Sequence, residues 1–246
     1  MEITSGMVQI QAESGRMSGW LSRPQAEGKY PAVVVVMEAF GLNEHIKDVT
    51  ERIAREGYVA LAPDMYYREK NNVVSYENLP DAIRLMTSLH DDKIVKDMGA
   101  AISYLQQQPA ARADRIGVTG FCMGGRITFL TACLNPAVKA AAPFYGGGIG
   151  SGMQPSDKTP KAPLEYADKL SAPMLLFFGE VDPFISLDEV NRIKARLAEL
   201  KKNAETIVYP GAPHGFFCNN RDSYRADAAK DAWERLLKFF GQHLKT

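Results

Sequence analysis

A cysteine flanked by glycines has the residue type and surroundings of a nucleophile. Cys122 stands within Gly120-Phe121-Cys122-Met123-Gly124, which has the pattern G-x-C-x-G between a predicted strand and a predicted helix. Such a turn crowds the backbone around its central residue, so small residues are needed on both sides. At a helix N-terminus, free N–H groups and the helix dipole favour the thiolate over the thiol. The pattern predicts a nucleophile elbow with cysteine in place of serine, although a buried cysteine in an ordinary glycine-rich turn would look the same.

Two more residues have the types that a cysteine nucleophile needs. It requires a base to accept its proton and an acid to orient that base, and hydrolases with such an elbow have the chain order nucleophile, acid, histidine. Asp182 and His214 follow Cys122 in this order, each shortly after a predicted strand. Taken alone, Asp182 could be a turn-forming residue before proline, and His214 an ordinary loop histidine. Together, the order and the positions favour a catalytic triad.

The elements that must position these residues alternate along the chain. Residues 7–12 and 17–22 predict an antiparallel N-terminal hairpin, and the uninterrupted apolar run 32–37 is typical of a strand covered on both faces. Further strands are predicted at 58–62, 115–119, 138–143, 174–178 and 205–209. Helices are predicted at 44–55, 80–108 with a break near 90–92, 125–132, 187–201 and 224–243, and a long loop at 146–163. This order predicts an α/β fold with a mostly parallel sheet, whose ligands bind at the carboxyl ends of the strands.

Length and composition limit the classes of protein that fit. The chain has 246 residues, of which 46% are hydrophobic, and this predicts one domain over residues 1–246. Lys plus Arg and Asp plus Glu both total 29, so the zero net charge indicates neither nucleic acid nor a membrane surface as a partner. The three cysteines lack the spacing of a metal site or a disulfide framework. We expect a cytoplasmic protein without cofactor or metal that acts on a small molecule as a monomer or small homo-oligomer.

The sequence resembles the dienelactone hydrolases, or carboxymethylenebutenolidases, of the α/β-hydrolase superfamily. The resemblance runs nearly end to end and rests on the cysteine-centred elbow, on residues 37–42, 57–66 and 144–146, and on the turns that hold Asp182 and His214. It implies the α/β-hydrolase fold and a hydrolase of small lactones or esters. The cysteine in the elbow and Glu38 at the end of the third strand distinguish this family from serine esterases of the same fold.

The resemblance also implies roles for the residues around the nucleophile. Glu38 would lie near the resting thiol and draw the proton from Cys122 when substrate enters, which leaves a thiolate beside the imidazolium of His214. The backbone N–H groups of Ala39 and Met123 would hold the oxyanion, and water would then hydrolyse the thioester with His214 as base. Read without the resemblance, Glu38 could also be a surface residue that begins a loop.

Substrate recognition is where the sequence departs from the family pattern. Members that open dienelactones hold the substrate carboxylate with two arginines, and the corresponding positions here carry Leu79 and Cys218. A carboxylate on the substrate should therefore add little to substrate binding. The arginines that could replace the pair are Arg84, Arg126 and Arg221. Phe40 and Tyr145 are expected to line the pocket, although aromatic residues at strand ends also build cores.

Three functions are compatible with these observations. The first is cofactor-independent hydrolysis of small lactones or esters through a Cys-His-Asp triad. The second is acyl transfer from the same thioester to an alcohol or amine, and the third is a non-catalytic ligand-binding module on a hydrolase scaffold. The joint presence of Cys122, Asp182, His214 and Glu38 argues against the third function, since a binding module needs none of them.

Overall fold

One eight-stranded sheet organises the computed structural model, which describes residues 1–150 and 156–246. Its strands are β1 (Ile3–Ala12), β2 (Gly15–Pro24), β3 (Tyr30–Val36), β4 (Val59–Pro63), β5 (Ala111–Phe121), β6 (Val138–Phe144), β7 (Met174–Gly179) and β8 (Ala204–Tyr209). They lie in the order β1-β2-β4-β3-β5-β6-β7-β8. Neighbours from β4 to β8 pair in parallel, whereas β2 pairs antiparallel with both β1 and β4. The predicted mostly parallel sheet with an antiparallel edge hairpin is confirmed.

The helices follow the predicted alternation closely. They are α1 (Glu44–Arg55), α2 (Leu79–Ser88), α3 (Asp91–Gln106), α4 (Met123–Leu134), α5 (Leu187–Glu199) and α6 (Ala226–Leu244), with a 3-10 helix at Pro163–Lys169 that the sequence did not predict. The break expected near 90–92 lies between α2 and α3. Of the loop predicted at 146–163, residues 151–155 lie outside the described part of the chain. No described helix combines the length and the apolar character that crossing a bilayer requires.

The N-terminal hairpin is longer than its hydrophobic pattern predicts. Its strands pair from Ile3 opposite Pro24 to Ala12 opposite Gly15, around a two-residue turn. Gly15 has a φ of 130°, a backbone conformation that favours glycine. The first half of β1 has few buried side chains, so the alternation that marks a strand begins late in the sequence.

The central strands bring the predicted site residues to one edge of the sheet. β3 lies between β4 and β5, and all five residues from Ala32 to Val36 are fully buried, which explains their uninterrupted apolar run. Parallel strands end at a common edge. Glu38 follows β3, Cys122 follows β5, Asp182 follows β7 and His214 follows β8, so the sheet gathers all four there.

Candidate active site

The elbow around Cys122 joins β5 directly to α4. Cys122 has φ 55° and ψ −117°, a conformation that costs a non-glycine residue about 1–3 kcal/mol. A Cβ atom on Gly120 would overlap the carbonyl of Gly124, and one on Gly124 would overlap the carbonyl of Val36. The backbone N–H of Cys122 donates to the carbonyl oxygen of Phe144 on β6 at 3.1 Å. Neighbouring strands and the two glycines thus hold the strained turn in place.

Cys122 stands at the start of α4, where the free N–H groups of the helix lie. The helix begins at Met123, and Cys122 occupies the N-cap without a side-chain cap hydrogen bond. Its thiol is free of any disulfide, and the residue is half-buried at the wall of a cavity. The helix dipole and the first N–H groups therefore face a thiol that solvent and substrate can reach.

Asp182 and His214 are joined by a short hydrogen bond. Asp182 Oδ2 lies 2.7 Å from His214 Nδ1, and the Asp182 side chain is fully buried. The other oxygen, Oδ1, accepts the N–H groups of Phe184 at 2.8 Å and Ile185 at 3.2 Å. The turn-forming and histidine-orienting interpretations of Asp182 are therefore compatible, because each uses a different oxygen. A carboxylate fixed in this way holds the imidazole in one orientation.

The imidazole of His214 is confined and readily protonated. The rings of Tyr145 and Phe184 contact it edge-on, with centroids 5.1 and 5.2 Å away. Burial lowers the pKa of His214, but the charge of Cys122 and hydrogen bonding to Asp182 and Cys122 outweigh burial and raise the pKa to about 10. The imidazole is thus set to hold a proton at neutral pH beside the sulfur of Cys122.

Two backbone N–H groups beside Cys122 belong to residues of the cavity wall. Ala39 and Met123 both line the cavity wall, and each is 6% exposed. Within the described part of the chain, no backbone carbonyl accepts the N–H of either residue. One group follows β3 and the other follows the nucleophile, as an oxyanion hole in an elbow of this kind requires.

A tyrosine that sequence reasoning did not single out braces both of these residues. The buried hydroxyl of Tyr66 lies 3.2 Å from the carbonyl oxygen of Ala39 and 3.1 Å from the sulfur of Met123, either of which can accept its proton. Tyr66 lies in the stretch 57–66 on which the family resemblance rests, and this is the signal that could have pointed to it. It connects the two sides of the candidate oxyanion hole.

Glu38 is completely buried and is held by residues other than Cys122, Asp182 and His214. Its Oε1 lies 3.5 Å from Arg221 Nη1, and its Oε2 accepts the Tyr76 hydroxyl at 3.4 Å. Arg221 in turn lies over the rings of Phe40 and Tyr76. A buried carboxylate requires such partners, so Glu38 is not a surface residue. No hydrogen bond joins Glu38 to Cys122 among the described residues.

The remaining predicted pocket residues separate into those that line the cavity and those that do not. Phe40 and Leu79 lie in its wall. Tyr145, which was expected there, is instead fully buried, is not among the cavity-lining residues and packs beneath the His214 ring. Cys218 is also fully buried and donates to the Tyr76 hydroxyl at 3.3 Å, while burial followed by the charge of Glu38 raises the pKa of Cys218 to about 11.

The three candidate arginines have different surroundings. Arg126 lines the cavity but forms a buried two-pronged ion pair with Asp91, at 2.6 and 2.8 Å. Arg221 lines the cavity beside Glu38. Arg84 is exposed on α2, where it pairs with Glu69 and Asp81, and is not among the cavity-lining residues. Both cavity arginines therefore already face a carboxylate of the protein.

The sheet order, the elbow and the aspartate–histidine pair at the strand ends define the class of the α/β-hydrolases. Within this class, residues 17–244 match the dienelactone hydrolase family. The chain belongs to the dienelactone hydrolase family, and it is a hydrolase.

Similar proteins cover nearly the whole chain. A Synechocystis protein provisionally named carboxymethylenebutenolidase is 39% identical over 251 aligned residues, which span 100% of this chain and 99% of that protein. A Bradyrhizobium protein provisionally named 2-oxo-3-(5-oxofuran-2-ylidene)propanoate lactonase is 36% identical over 226 residues, or 92% of this chain and 89% of that one. A Klebsiella pneumoniae crystal structure, provisionally described as a dienelactone hydrolase, has a TM-score of 0.91 at 36% identity and covers 99% of this chain and 100% of that chain.

Proposed function

We propose that this enzyme hydrolyses small lactones or esters through a thioester on Cys122. The observation that carries the proposal is the placement of His214, whose Nδ1 is bound to buried Asp182 and whose pKa is raised by the neighbouring Cys122. Family membership supports the reaction class, and the lactonase name of the Bradyrhizobium relative supports lactones among the substrates. Membership of a hydrolase family also favours hydrolysis over acyl transfer or a purely binding role.

The first half of the reaction forms the thioester. Glu38 accepts the proton of the Cys122 thiol when an entering substrate disturbs its contacts with Arg221 and Tyr76. The thiolate attacks the carbonyl carbon, and the N–H groups of Ala39 and Met123 stabilise the oxyanion. As the tetrahedral intermediate collapses, the carbon–oxygen bond breaks and the imidazolium of His214 donates a proton to the leaving alkoxide.

The second half of the reaction releases the acid. Neutral His214, oriented by Asp182, takes a proton from water, and the resulting hydroxide attacks the thioester carbonyl. The same oxyanion hole stabilises the second tetrahedral intermediate. Loss of the thiolate of Cys122 then frees the carboxylic acid and leaves the ion pair with His214. Protonated Glu38 returns its proton to the Cys122 sulfur, which regenerates the resting thiol and the Glu38 carboxylate. No step requires a cofactor or a metal ion.

Substitution of the nucleophile tests this function. Cys122→Ala should lower turnover of lactones and activated esters by at least about a thousandfold, because the remaining groups only bind and polarise the carbonyl. Cys122→Ser should also be much weaker than wild type, since an alcohol needs a stronger base than a thiol does. Steady-state hydrolysis is measured beside a thermal melt. The melting temperature should change little, because the close packing of the elbow depends on Gly120 and Gly124 and not on the Cys122 side chain. Full activity of a folded Cys122→Ala variant would overturn the proposal.

A further inference from the structure

The cavity extends well beyond the catalytic residues, and the extension is apolar. Its walls come from α2, α3, α4 and the segment that joins α2 to α3. The apolar side chains on this side are Leu79, Ile83, Met86, Leu89, Ile94 and Ile127. Two of them, Leu79 and Ile83, are 46% and 45% exposed at the mouth, although apolar side chains of this size gain free energy when covered.

The cavity wall also has an exposed apolar side chain next to the imidazole. Phe184 lies in the cavity wall, contacts the His214 ring and is 67% exposed. The exposed apolar surface is continuous with the cavity that contains Cys122, so its occupant must also be able to reach the nucleophile.

The charged groups along this cavity already have partners within the protein. Arg126 is neutralised by buried Asp91 through two hydrogen bonds, and Arg221 lies beside Glu38. Arg126 Nε and Arg221 Nη1 are buried without a hydrogen-bond partner among the described residues, but the charge of each guanidinium is already balanced by a protein carboxylate. A charged group on the distal part of a substrate would therefore lose its hydration for little gain in charge pairing, whereas an alkyl chain gains free energy on entering.

We propose that the preferred substrates are neutral lactones or esters with an unbranched apolar chain of about eight carbons, which lies against α2, α3 and α4. This inference rests on the proposed function, because it describes the substrate of the same site. The cavity volume of about 360 Å³ holds on the order of a dozen non-hydrogen atoms if each takes the ~30 Å³ of a liquid water molecule. That is enough for an ester group and such a chain.

Two substrate series test the proposal from both sides of the ester bond. The first is p-nitrophenyl esters from acetate to dodecanoate, which lengthens the acyl side. The second is γ-lactones with alkyl substituents from hydrogen to dodecyl, which lengthens the alkoxy side. In one of the series kcat/KM should rise by about threefold to fourfold per buried methylene and level off near eight carbons. At threefold per methylene, a substrate that buries three more methylenes should show a kcat/KM roughly thirtyfold higher.

Variants of α2 show whether the alkyl chain of the substrate lies against this helix, as we propose. Met86→Gln keeps the size of the side chain but adds an amide, and should reduce the long-to-short substrate ratio by at least about fivefold. Ile83→Asn is a second variant at an exposed position, in case Met86→Gln fails to fold. Arg84→Gln is the control on the same helix, since Arg84 is exposed, pairs with Glu69 and Asp81, and is not among the lining residues. Its ratio should equal that of wild type.

The outcomes separate this inference from the proposed function. A flat dependence on chain length in both series, with hydrolysis that requires Cys122, would overturn the substrate class and leave the reaction intact. A chain-length preference that Met86→Gln and Ile83→Asn do not change would overturn the location. Hydrolysis of every ester and lactone at equal rates by wild type and Cys122→Ala would instead overturn the proposed function itself.

Discussion

The two ends of the cavity are built in different ways. At the catalytic end, hydrogen bonds or ion pairs hold the polar side chains in fixed positions: Asp182 holds His214, and Arg221 with Tyr76 holds Glu38. At the far end, apolar side chains of α2 line the space, and Ile83 among them is 45% exposed. The residues of the catalytic end follow the ends of strands, whereas those of the far end lie on the surface of a helix.

This difference indicates how reaction and selectivity are divided between elements. The catalytic end depends on backbone geometry, such as the positive φ of Cys122 and the close approach of Gly124 to Val36, which tolerates few substitutions. The far end depends on side-chain volume and polarity along α2, and those can change without disturbing the sheet. We therefore expect substitutions at the catalytic end to change the rate of the chemical steps, and substitutions at the far end to change the choice of substrate.

After the proposed triad residues Cys122, Asp182 and His214, the largest effect is expected at Glu38. Glu38→Gln keeps the size of the side chain but cannot accept the thiol proton, so the rate of thioester formation should fall by about a hundredfold or more. Deacylation should change less, because it depends on His214. Stopped-flow measurement of the two phases separates these rates.

The control for this variant is a glutamate at the same edge of the sheet. Glu180 is exposed, accepts the N–H of Gly211 at 2.9 Å and lies outside the cavity wall, so Glu180→Gln should acylate like wild type. A thermal melt of Glu38→Gln shows whether Arg221, left without its carboxylate, destabilises the fold. An unchanged acylation rate in folded Glu38→Gln would assign Glu38 a purely structural role.

A smaller effect is expected from a carboxylate on the substrate. Because Arg126 and Arg221 both face protein carboxylates, kcat/KM for a free acid and for its methyl ester should agree within about threefold. An unoccupied arginine would add a charge-assisted hydrogen bond worth about 1.5–3 kcal/mol, or roughly tenfold to more than a hundredfold. Matched lactones with and without the free acid provide the measurement.

Arginine variants identify the group responsible if the free acid is preferred. Arg221→Gln tests the guanidinium beside Glu38, and Arg84→Gln is the control on the exposed face of α2. A preference of tenfold or more for the free acid, lost in Arg221→Gln and kept in Arg84→Gln, would contradict the expectation that a substrate carboxylate adds little to kcat/KM. The substrate would then release Arg221 from Glu38 when it binds.

The sequence predicts the parts of the site that have strong local constraints. The apolar run 32–37 places Glu38 at the end of a central strand, and the glycines around Cys122 predict the elbow, because only small residues fit there. The turns after β7 and β8 then place Asp182 and His214 at the same edge. The order of strands and helices is predictable for the same reason, since buried parallel strands and amphipathic helices have distinct periodicities.

The partners of these residues could not be predicted, because they come from segments without a periodic pattern. Tyr76 lies between β4 and α2 in a polar, irregular stretch, yet its hydroxyl contacts Glu38. Arg221 was one of three arginines with equal claims until its contact with Glu38 distinguished it from Arg126, which is bound to Asp91. Tyr145 was misplaced because an aromatic residue at a strand end can face either the cavity or the core, and only packing decides.

The central claim is that Cys122 carries the acyl group during turnover, and trapping that group tests it most directly. Wild-type enzyme is mixed with excess activated ester, quenched in acid within the first turnovers and analysed by intact-protein and peptide mass spectrometry. We expect a mass increase equal to the acyl group, located on the peptide that contains Cys122, and no such increase in Cys122→Ala. Turnover without an adduct in wild type under conditions where deacylation limits the rate, or an adduct on another residue, would contradict the account.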